Sequence, residues 1–501
     1  MASAGGHPSG SAMEANRLLW PLLVFLALLV SVSFQGSRGL YETSEGRYAE
    51  CAREMVESGN YLEPTLGYRP HWTKPPMTYW AIAAGIRLAG PGEWGVRLFN
   101  SAAFFLTVLA VVRIGTVLWD ARTGLIAGLI YASSPFPVFG AYAVTTDTLL
   151  TLFEVSAVLC YLTAFYAAAP RKQRVFTTAM WGFLGLGFLT KGPPALLVLL
   201  PVLLWHFLHR DRPRIIGLAQ IAAFAGIGLS WYLVVCFRHP GLMSYFIGHE
   251  VVDRLVSHAV HNPEWYKPFS LYLPVLILGA GPWCCLGVRA FWRKRLLRPG
   301  RIRASFRRGG PGALMLLWLL LPLAVFFIVE SRLHLYVLPL YAPVSLAIAR
   351  AISGGGEGET RLFLKRTVLV AVITGFVLVG LKGVAAVLPA RKDMRPLYAM
   401  CRDAGGMEAR FVAFDRPKLY GLQYYLNGRL ERVSRRGRAP WADAAVEEMI
   451  GRIKKGEIRR SVVFICSGRQ EPKLVTLLRR SGIDSRRVES RYWILRVVPG
   501  K

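Results

Sequence analysis

The sequence predicts a polytopic α-helical membrane protein that ends in a small α/β domain. Three observations carry this reading. Hydrophobic residues make up 53% of the 501 residues, mean hydropathy is +0.36, and charged residues are only 18%, below the roughly 25% of soluble domains. Apolar runs close to the ~20 residues that cross a bilayer recur through the first 388 residues. Beyond them the pattern changes to short β-like runs alternating with amphipathic helical ones. A single soluble globular domain and a disordered chain are both excluded. The net charge of +31 by itself suits nucleic acid. Much of it, however, lies in short loops between apolar segments, where the positive-inside bias places it, so no nucleic-acid partner is expected.

Residues 1–16 are small and polar and form a cytoplasmic N-terminal tail. Residues 17–35 follow as a first span, with Arg17 ahead of it. Its apolar length and the spans behind it read as a retained signal anchor. Further spans are expected near 98–118, 124–140, 149–168, 176–190, 193–208, 216–237, 271–292, 312–329, 335–352 and 367–388, about 11 transmembrane helices within a domain of residues 17–388. Residues 77–90 read as a short extra or re-entrant helix. One set of alternate loops carries Arg122, then Arg171, Lys172 and Arg174, then Arg210, Arg212 and Arg214, the run from Arg293 to Arg308, and Arg361, Lys365 and Arg366. The other short loops carry only Lys191 and Arg332. The first set is therefore cytoplasmic, with the N-terminus on the same side.

Two long loops, 36–97 and 238–270, then face outward, as does a C-terminal domain of residues 389–501. That domain has strand-like runs at 409–414, 461–466 and 492–498 and helix candidates near 443–456 and 471–482, a small α/β pattern. It holds 26 Lys/Arg against 12 Asp/Glu, which suits either a solubilising surface or attraction to anionic headgroups. The seven cysteines show no CxxC or Cys/His metal spacing. A Cys401–Cys466 disulfide and unpaired thiols packed as small apolar groups both fit.

On this topology the distinctive residues gather on the external side. The first loop holds Glu45, Arg47, Tyr48 and Lys74. Asp147, Lys191, Glu250, Arg254, His261, Arg332, His334 and Tyr336 follow in later turns. Ionisable groups at membrane ends are costly and often functional. Lys and Arg bind phosphate through charge-assisted hydrogen bonds, and a carboxylate can act as a general base toward a hydroxyl. Together they suit transfer of a group from a phosphate leaving group. No Walker loop, GxGxxG or GxSxG occurs, so nucleotide use and a serine-hydrolase site lack support. Each residue taken singly also has a plain structural reading. Glu45–Arg47 fits the solvated face of a helix, Glu250 and Arg254 an i, i+4 pair, Lys191 and Arg332 snorkelling cations, and His261 and His334 hydrogen-bonded structural histidines.

At these residues the chain resembles a known family. Glu45-Gly46-Arg47-Tyr48-Ala49-Glu50, Ala52-Arg53-Glu54-Met55, Ser58-Gly59, Lys74-Pro75-Pro76 and Tyr79-Trp80 are similar to the first external loop of lipid-linked glycosyltransferases of the protein-mannosyltransferase superfamily (GT-C). Within that superfamily the stretch resembles bacterial aminoarabinose transferases that modify lipid A. Thr146-Asp147, Thr190-Lys191-Gly192-Pro193, Tyr245-Phe246 with Glu250 and Arg254, His261 with Trp265-Tyr266, and Ser331 to Pro339 match further, in order, across roughly residues 17–350. The resemblance implies a GT-C fold, a polyprenyl-phosphate sugar donor, and inverting transfer on the external face. It makes Lys74 the holder of the donor phosphate, helped by Arg254, Arg332 and Tyr336, and Asp147 a site carboxylate. Ser44 stands where the family carries aspartate. The base is then Glu45 or Asp147, or none is needed because a lipid phosphate acceptor is already ionised. Thr73 replaces an acidic residue tied to metal binding in that family, so no metal and no cofactor is expected.

The reading is an enzyme of the bacterial inner membrane. It moves a sugar from a polyprenyl-phosphate donor to a lipid A, glycan or protein acceptor, among membrane lipids. The rivals are a lipid or solute transporter and a non-catalytic scaffold binding envelope polymers. A transporter places charges near the midplane and often shows inverted repeats, and neither is visible.

Overall fold

The computed structural model describes residues 10–252, 262, 264–353, 357–435, 437, 439–489 and 494–498, with residues 10–17, 249–252, 357–363 and 489 described by backbone only. Six helices are long and apolar enough to cross a membrane: Glu93–Leu118, Thr146–Phe165, Leu218–Arg238, Pro311–Ile328, His334–Ser353 and Leu364–Val387. Two further pairs pass the test together but bend, Ala121–Ala132 with Pro135–Tyr142 by 59° and Lys267–Gly279 with Pro282–Arg293 by 87°. The described residues thus offer six to eight spans by length and composition, against the eleven expected from hydropathy. The other three expected segments are helical but fall short for physical reasons. Pro193–Phe207 is too short, and Leu18–Val32 is the apolar part of the longer helix Gly10–Val32. Pro170–Lys191 begins with Arg171, Lys172 and Arg174 and ends on Lys191. Residues 77–90 form a helix, Met77–Ala89.

The chain divides into two compact units. The first comprises Met1–Gln35, Trp72–Ala81 and Arg97–Val384. Within it α1 (Gly10–Val32) packs on Ala121–Ala132, which in turn packs on Tyr341–Ser353. Leu129, Val158, Tyr161, Trp205, Trp283, Trp318 and Tyr341 are buried in one continuous core. Gly115 and Gly124 let two helices meet at backbone distance, since a Cβ on Gly115 would sit 2.7 Å from the Gly124 Cα. Asp120 starts the next helix by accepting the Thr123 N–H at 2.8 Å, the usual way to satisfy an orphan donor. The helices Thr146–Phe165 and Pro170–Lys191 form a closely packed hairpin.

The second unit comprises Gly36–His71, Ile82–Val96 and Ala385–Lys501. It is larger than the expected 389–501, because most of the first long loop is built into it. Helix α2 (Ser44–Ser58) packs on a short helix, Tyr420–Tyr425. The hairpin β1 (Thr65–Leu66) and β2 (Arg69–Pro70) follows α2. The C-terminal residues form a six-stranded sheet in the order β5-β4-β3-β6-β8-β7. Its strands are β3 (Arg410–Phe414), β4 (Leu430–Ser434), β5 (Ala444–Ala445), β6 (Val462–Ile465), β7 (Ser485–Glu489) and β8 (Ile494–Val497). The first four are mutually parallel; β8 and β7 are added antiparallel. Both faces are covered, as a parallel sheet requires. Val412, Phe414, Val462 and Phe464 pack in one core and Phe411, Ala413, Val463 and Ile465 in the other. Cys401 carries a free, buried thiol, so the Cys401–Cys466 bridge does not form.

Candidate functional site

A cavity of about 550 Å3 opens in the first unit. Its walls are mostly apolar: Trp72, Leu150, Leu197, Tyr232, Phe246, Trp318 and Phe326 contribute, with several prolines. Trp72 is held by aromatic contact with Trp231 at 6.1 Å and His239 at 5.3 Å. Among the ionisable side chains that reach this apolar space are Lys74, Glu154, Lys191 and Tyr336.

Helix packing brings the charges together. Asp147 lies in the first turn of Thr146–Phe165, where Thr145 caps the helix by accepting the Asp147 N–H at 3.3 Å. Lys191 ends the partner helix, and Gly192, with φ of +75°, terminates it there; glycine adopts such a conformation at no steric cost. Two helices of nearly equal length joined by a short turn place the start of one beside the end of the other. The Lys191 ammonium accordingly donates to Asp147 Oδ1. It also lies 4.2 Å from the Tyr336 ring centroid, within cation–π range. Asp147 is buried and sits behind Lys191 at the cavity wall. Lys74 faces the same cavity, its ammonium donating to the Thr73 carbonyl at 2.8 Å.

Glu154, two turns beyond Asp147 on the same helix, is a cavity residue that motif reasoning missed. It is 7% exposed and lines the cavity, with Lys191 and Asp147 as its charged neighbours. The signal for it was available: it is the one acidic residue inside an otherwise apolar span, and an intramembrane carboxylate is a functional candidate by default.

Other expected site residues stand elsewhere. Arg332 is buried and does not line the cavity; its guanidinium donates to the carbonyls of Asn262, Glu264 and Phe327 at 3.0–3.2 Å. His334 is exposed on the short helix His334–Leu340. Arg254 and His261 fall outside the described residues, and Glu250 is described by backbone only, in Tyr245–Val252.

Glu45, Arg47 and Tyr48 belong to the second unit. Glu45 is buried and accepts from Arg38 Nη1 at 2.7 Å and from the Tyr41 N–H at 2.9 Å. The Arg47 guanidinium lies 5.4 Å from the Tyr48 ring. One turn later Glu50 forms a bidentate pair with Arg53 at 2.8 and 2.9 Å. Burial nevertheless pushes the Glu50 carboxyl up to about 7. Glu54 is buried and pins the hairpin, accepting from the Gly67 N–H at 2.7 Å, the Tyr68 N–H at 3.1 Å and the Thr65 hydroxyl at 2.5 Å.

Comparison with known proteins gives a consistent picture. Residues 73–237 match the family model described as dolichyl-phosphate-mannose-protein mannosyltransferase. The undecaprenyl phosphate-alpha-4-amino-4-deoxy-L-arabinose arabinosyl transferase of Aeromonas salmonicida is 32% identical over 355 residues, covering 69% of this chain and 62% of that protein. The chain thus spans less than two thirds of the length of the curated relatives it matches. Among solved structures, ArnT from Cupriavidus metallidurans bound to undecaprenyl phosphate superposes with a TM-score of 0.76 at 19% identity, over 95% of this chain and 97% of that one. The oligosaccharyltransferase of Archaeoglobus fulgidus gives a TM-score of 0.53 at 12% identity, over 82% of this chain and 63% of that one. The first unit with its cavity and the sheet-bearing second unit both lie within the span of the ArnT-like fold.

Proposed function

From the premise that this chain is a homologue of the undecaprenyl-phosphate aminoarabinose transferases and shares their fold, we propose that it is a membrane-embedded glycosyltransferase. It takes a sugar from a polyprenyl-phosphate donor and passes it to a lipid A, glycan or protein acceptor, with inversion. The observation that carries this reading is the Lys191–Asp147 ion pair beside Tyr336 and Lys74 at the wall of an apolar cavity. An isoprenoid tail suits the aromatic and aliphatic walls. A phosphate needs cations, and Lys74 and Lys191 supply them.

In this mechanism Lys74 and Lys191 hold the donor phosphate, and Arg254 adds a third cation. The C1–O bond to phosphate breaks as negative charge gathers on the leaving oxygen, and fixed cations in a low-dielectric cavity stabilise that charge. Asp147 orients Lys191 and takes the proton of an acceptor hydroxyl; an acceptor phosphate has no proton to lose. Asp147 is preferred over Glu45 as base because the Glu45 carboxylate already accepts from Arg38 and Tyr41. Glu154 completes the charge set, so that two ammonium groups face two carboxylates before the donor arrives. Tyr336 steadies the Lys191 ammonium from its ring face. In this reading Arg332 has a structural role, since its guanidinium ties backbone carbonyls, and Arg47 and Tyr48, in the second unit, have no part in donor binding.

We further infer eleven crossings, supported by helices at all eleven apolar segments and by the bias of Lys and Arg to one set of loops. That arrangement puts the N-terminal tail in the cytoplasm and the second unit on the periplasmic face of the inner membrane. The decisive test incubates purified protein with radiolabelled polyprenyl-phosphate sugars and total membrane lipid, then identifies the labelled product. Transfer that is lost in Lys74→Ala, in a protein that still extracts and folds normally, supports the assignment. Full turnover in that variant refutes it.

A further inference from the structure

The second unit has its own cavity, of about 640 Å3, at the amino edge of its sheet. Strands β4, β3 and β6 are adjacent and parallel, so all three begin at one edge. Each is entered through arginine: Arg429 precedes β4, Arg410 opens β3, and Arg459 and Arg460 precede β6. Three loops far apart in sequence therefore deliver guanidinium groups to one hollow, and Arg432, on β4, adds another.

The acidic residues around this hollow are already committed. Glu431 accepts from Arg410 at 2.6 Å and Arg452 at 3.5 Å, Glu408 accepts from Arg460 at 2.6 Å, and Glu457 is ion-paired with Arg452 at 3.7 Å. Asp443 accepts from the Arg432 N–H at 2.8 Å and from Arg69 at 3.2 Å. Two exposed cations, Arg429 and Arg459, form no ion pair among the described residues, and Arg432 has only the longer-range attraction of Glu42. Arg429 donates only to the carbonyls of Leu426 and Met407, both at 3.2 Å. Arg432 donates to Gln423 and to the Pro417 carbonyl. Arg459 is exposed and carries no ion pair. The Tyr68 ring, 54% exposed, forms part of the same wall. The opposite, carboxyl edge, where open α/β sheets usually bind ligands, is closed by its own bonds. There Gln470 donates to the Asp415 carbonyl at 2.8 Å and accepts from Ser467 at 2.6 Å.

We propose that the amino-edge cavity is a second anion site, distinct from the donor cavity, that binds the phosphate of a phosphorylated saccharide. Arg429 and Arg459, both exposed, engage the phosphate through charge-assisted hydrogen bonds, the buried Arg432 adds positive potential from the wall, and Tyr68 offers an aromatic face to the sugar ring. The site reads phosphate on a sugar, whether that sugar is free or is the head of a glycolipid, and it performs no chemistry.

The test uses the full chain in dodecyl maltoside micelles, in the wild-type and in the Lys74→Ala background. One arm titrates glucose 1-phosphate against glucose, and the other titrates diphosphorylated against dephosphorylated lipid A, each followed calorimetrically. Saturable binding that requires the phosphate, survives Lys74→Ala and weakens about tenfold or more in Arg429→Gln/Arg459→Gln supports the site. Binding in the first arm alone assigns a free sugar phosphate, and binding in the second a glycolipid head. Both positions are exposed, so the variant folds; a wild-type melting curve checks this. The proposal is overturned by no phosphate-dependent binding in either arm. It is equally overturned if Lys74→Ala removes the binding while the double variant keeps it, since the phosphate then sits in the donor cavity. Sugar-transfer activity is not the readout, so failure here leaves the donor-site assignment standing.

Discussion

Lys191 and Asp147 form an ion pair whose ammonium also lies over the Tyr336 ring. Both partners are mostly buried, with side chains 9% exposed each. Removing one member of such a pair leaves the other charge short of its partner, but an isosteric amide keeps the volume and an acceptor oxygen for the Lys191 ammonium, and Glu154 remains beside it as a counter-charge. Asp147→Asn is therefore expected to keep the protein folded. It should leave donor binding within a few-fold and lower kcat by roughly 10²–10⁴, the range for loss of a general base. Single-turnover kinetics with bound donor separate this from a binding defect. An unchanged kcat assigns the proton to another group or to none.

Lys74 bears on the donor rather than the acceptor. Loss of one charge-assisted phosphate contact costs about 1.5–3 kcal/mol, roughly ten- to a hundred-fold in affinity. Lys74→Ala should weaken polyprenyl phosphate binding by that factor while the affinity for an uncharged polyprenol stays put. Equal loss for both ligands would point to a collapsed cavity.

Much of this was legible in the sequence, and the gaps have physical causes. Lys74, Asp147, Lys191 and Tyr336 stand out as polar residues at the ends of apolar segments. That Asp147 and Lys191 meet follows from a hairpin of two similar helices. Glu154 escaped because an apolar span reads as uniformly structural unless its single carboxylate is asked for a partner. Arg332 looked like a phosphate ligand, yet its guanidinium ties three backbone carbonyls, a use that sequence spacing does not encode. In the sheet, β3 and β6 announce themselves as apolar runs. Strand β4 does not, because Glu431 and Arg432 interrupt its alternation, and their partners Arg410 and Gln423 lie on neighbouring elements that only folding brings alongside. The first loop gave the family resemblance, but not its place in the second unit, which depends on contacts with residues hundreds of positions later.

Glu45 separates a structural role from a chemical one. Its carboxylate and the Arg38 guanidinium are 4% and 2% exposed, and breaking a buried pair from one side costs about 3–5 kcal/mol. Glu45→Ala is expected to lower the melting temperature and the yield sharply. Arg38→Met/Glu45→Met should recover much of that stability by replacing the pair with apolar volume. If the double variant also recovers transfer, Glu45 is not the base; a stable but inactive double variant would return the role to it.

Glu154 offers the opposite balance. A carboxylate facing an apolar cavity is costly to desolvate, and Glu154 forms no direct ion pair among the described residues that its removal would break. Glu154→Leu should therefore raise the thermal midpoint slightly. It should also lower turnover, because Lys191 then has only Asp147 to balance it and releases that carboxylate less readily. A variant that is both more stable and fully active would show the residue to be a passive part of the wall.

Glu50 predicts the pH dependence of the second unit. Its carboxyl is pushed up to about 7 by burial, against the pull of Arg53, while in the unfolded chain it titrates near the ordinary ~4.3 of glutamate. Between these values the folded state holds a proton that the unfolded state has lost. Stability must then fall as pH rises through this window, and level off above about 7. Glu42, also raised by burial, contributes with the same sign. Exposed Glu57, lowered chiefly by the Tyr68 hydroxyl, contributes with the opposite sign and at lower pH. The melting temperature should drop between pH 5.5 and pH 7.5, and Glu50→Gln should flatten that slope. A wild-type slope that survives the substitution would place the titrating group elsewhere.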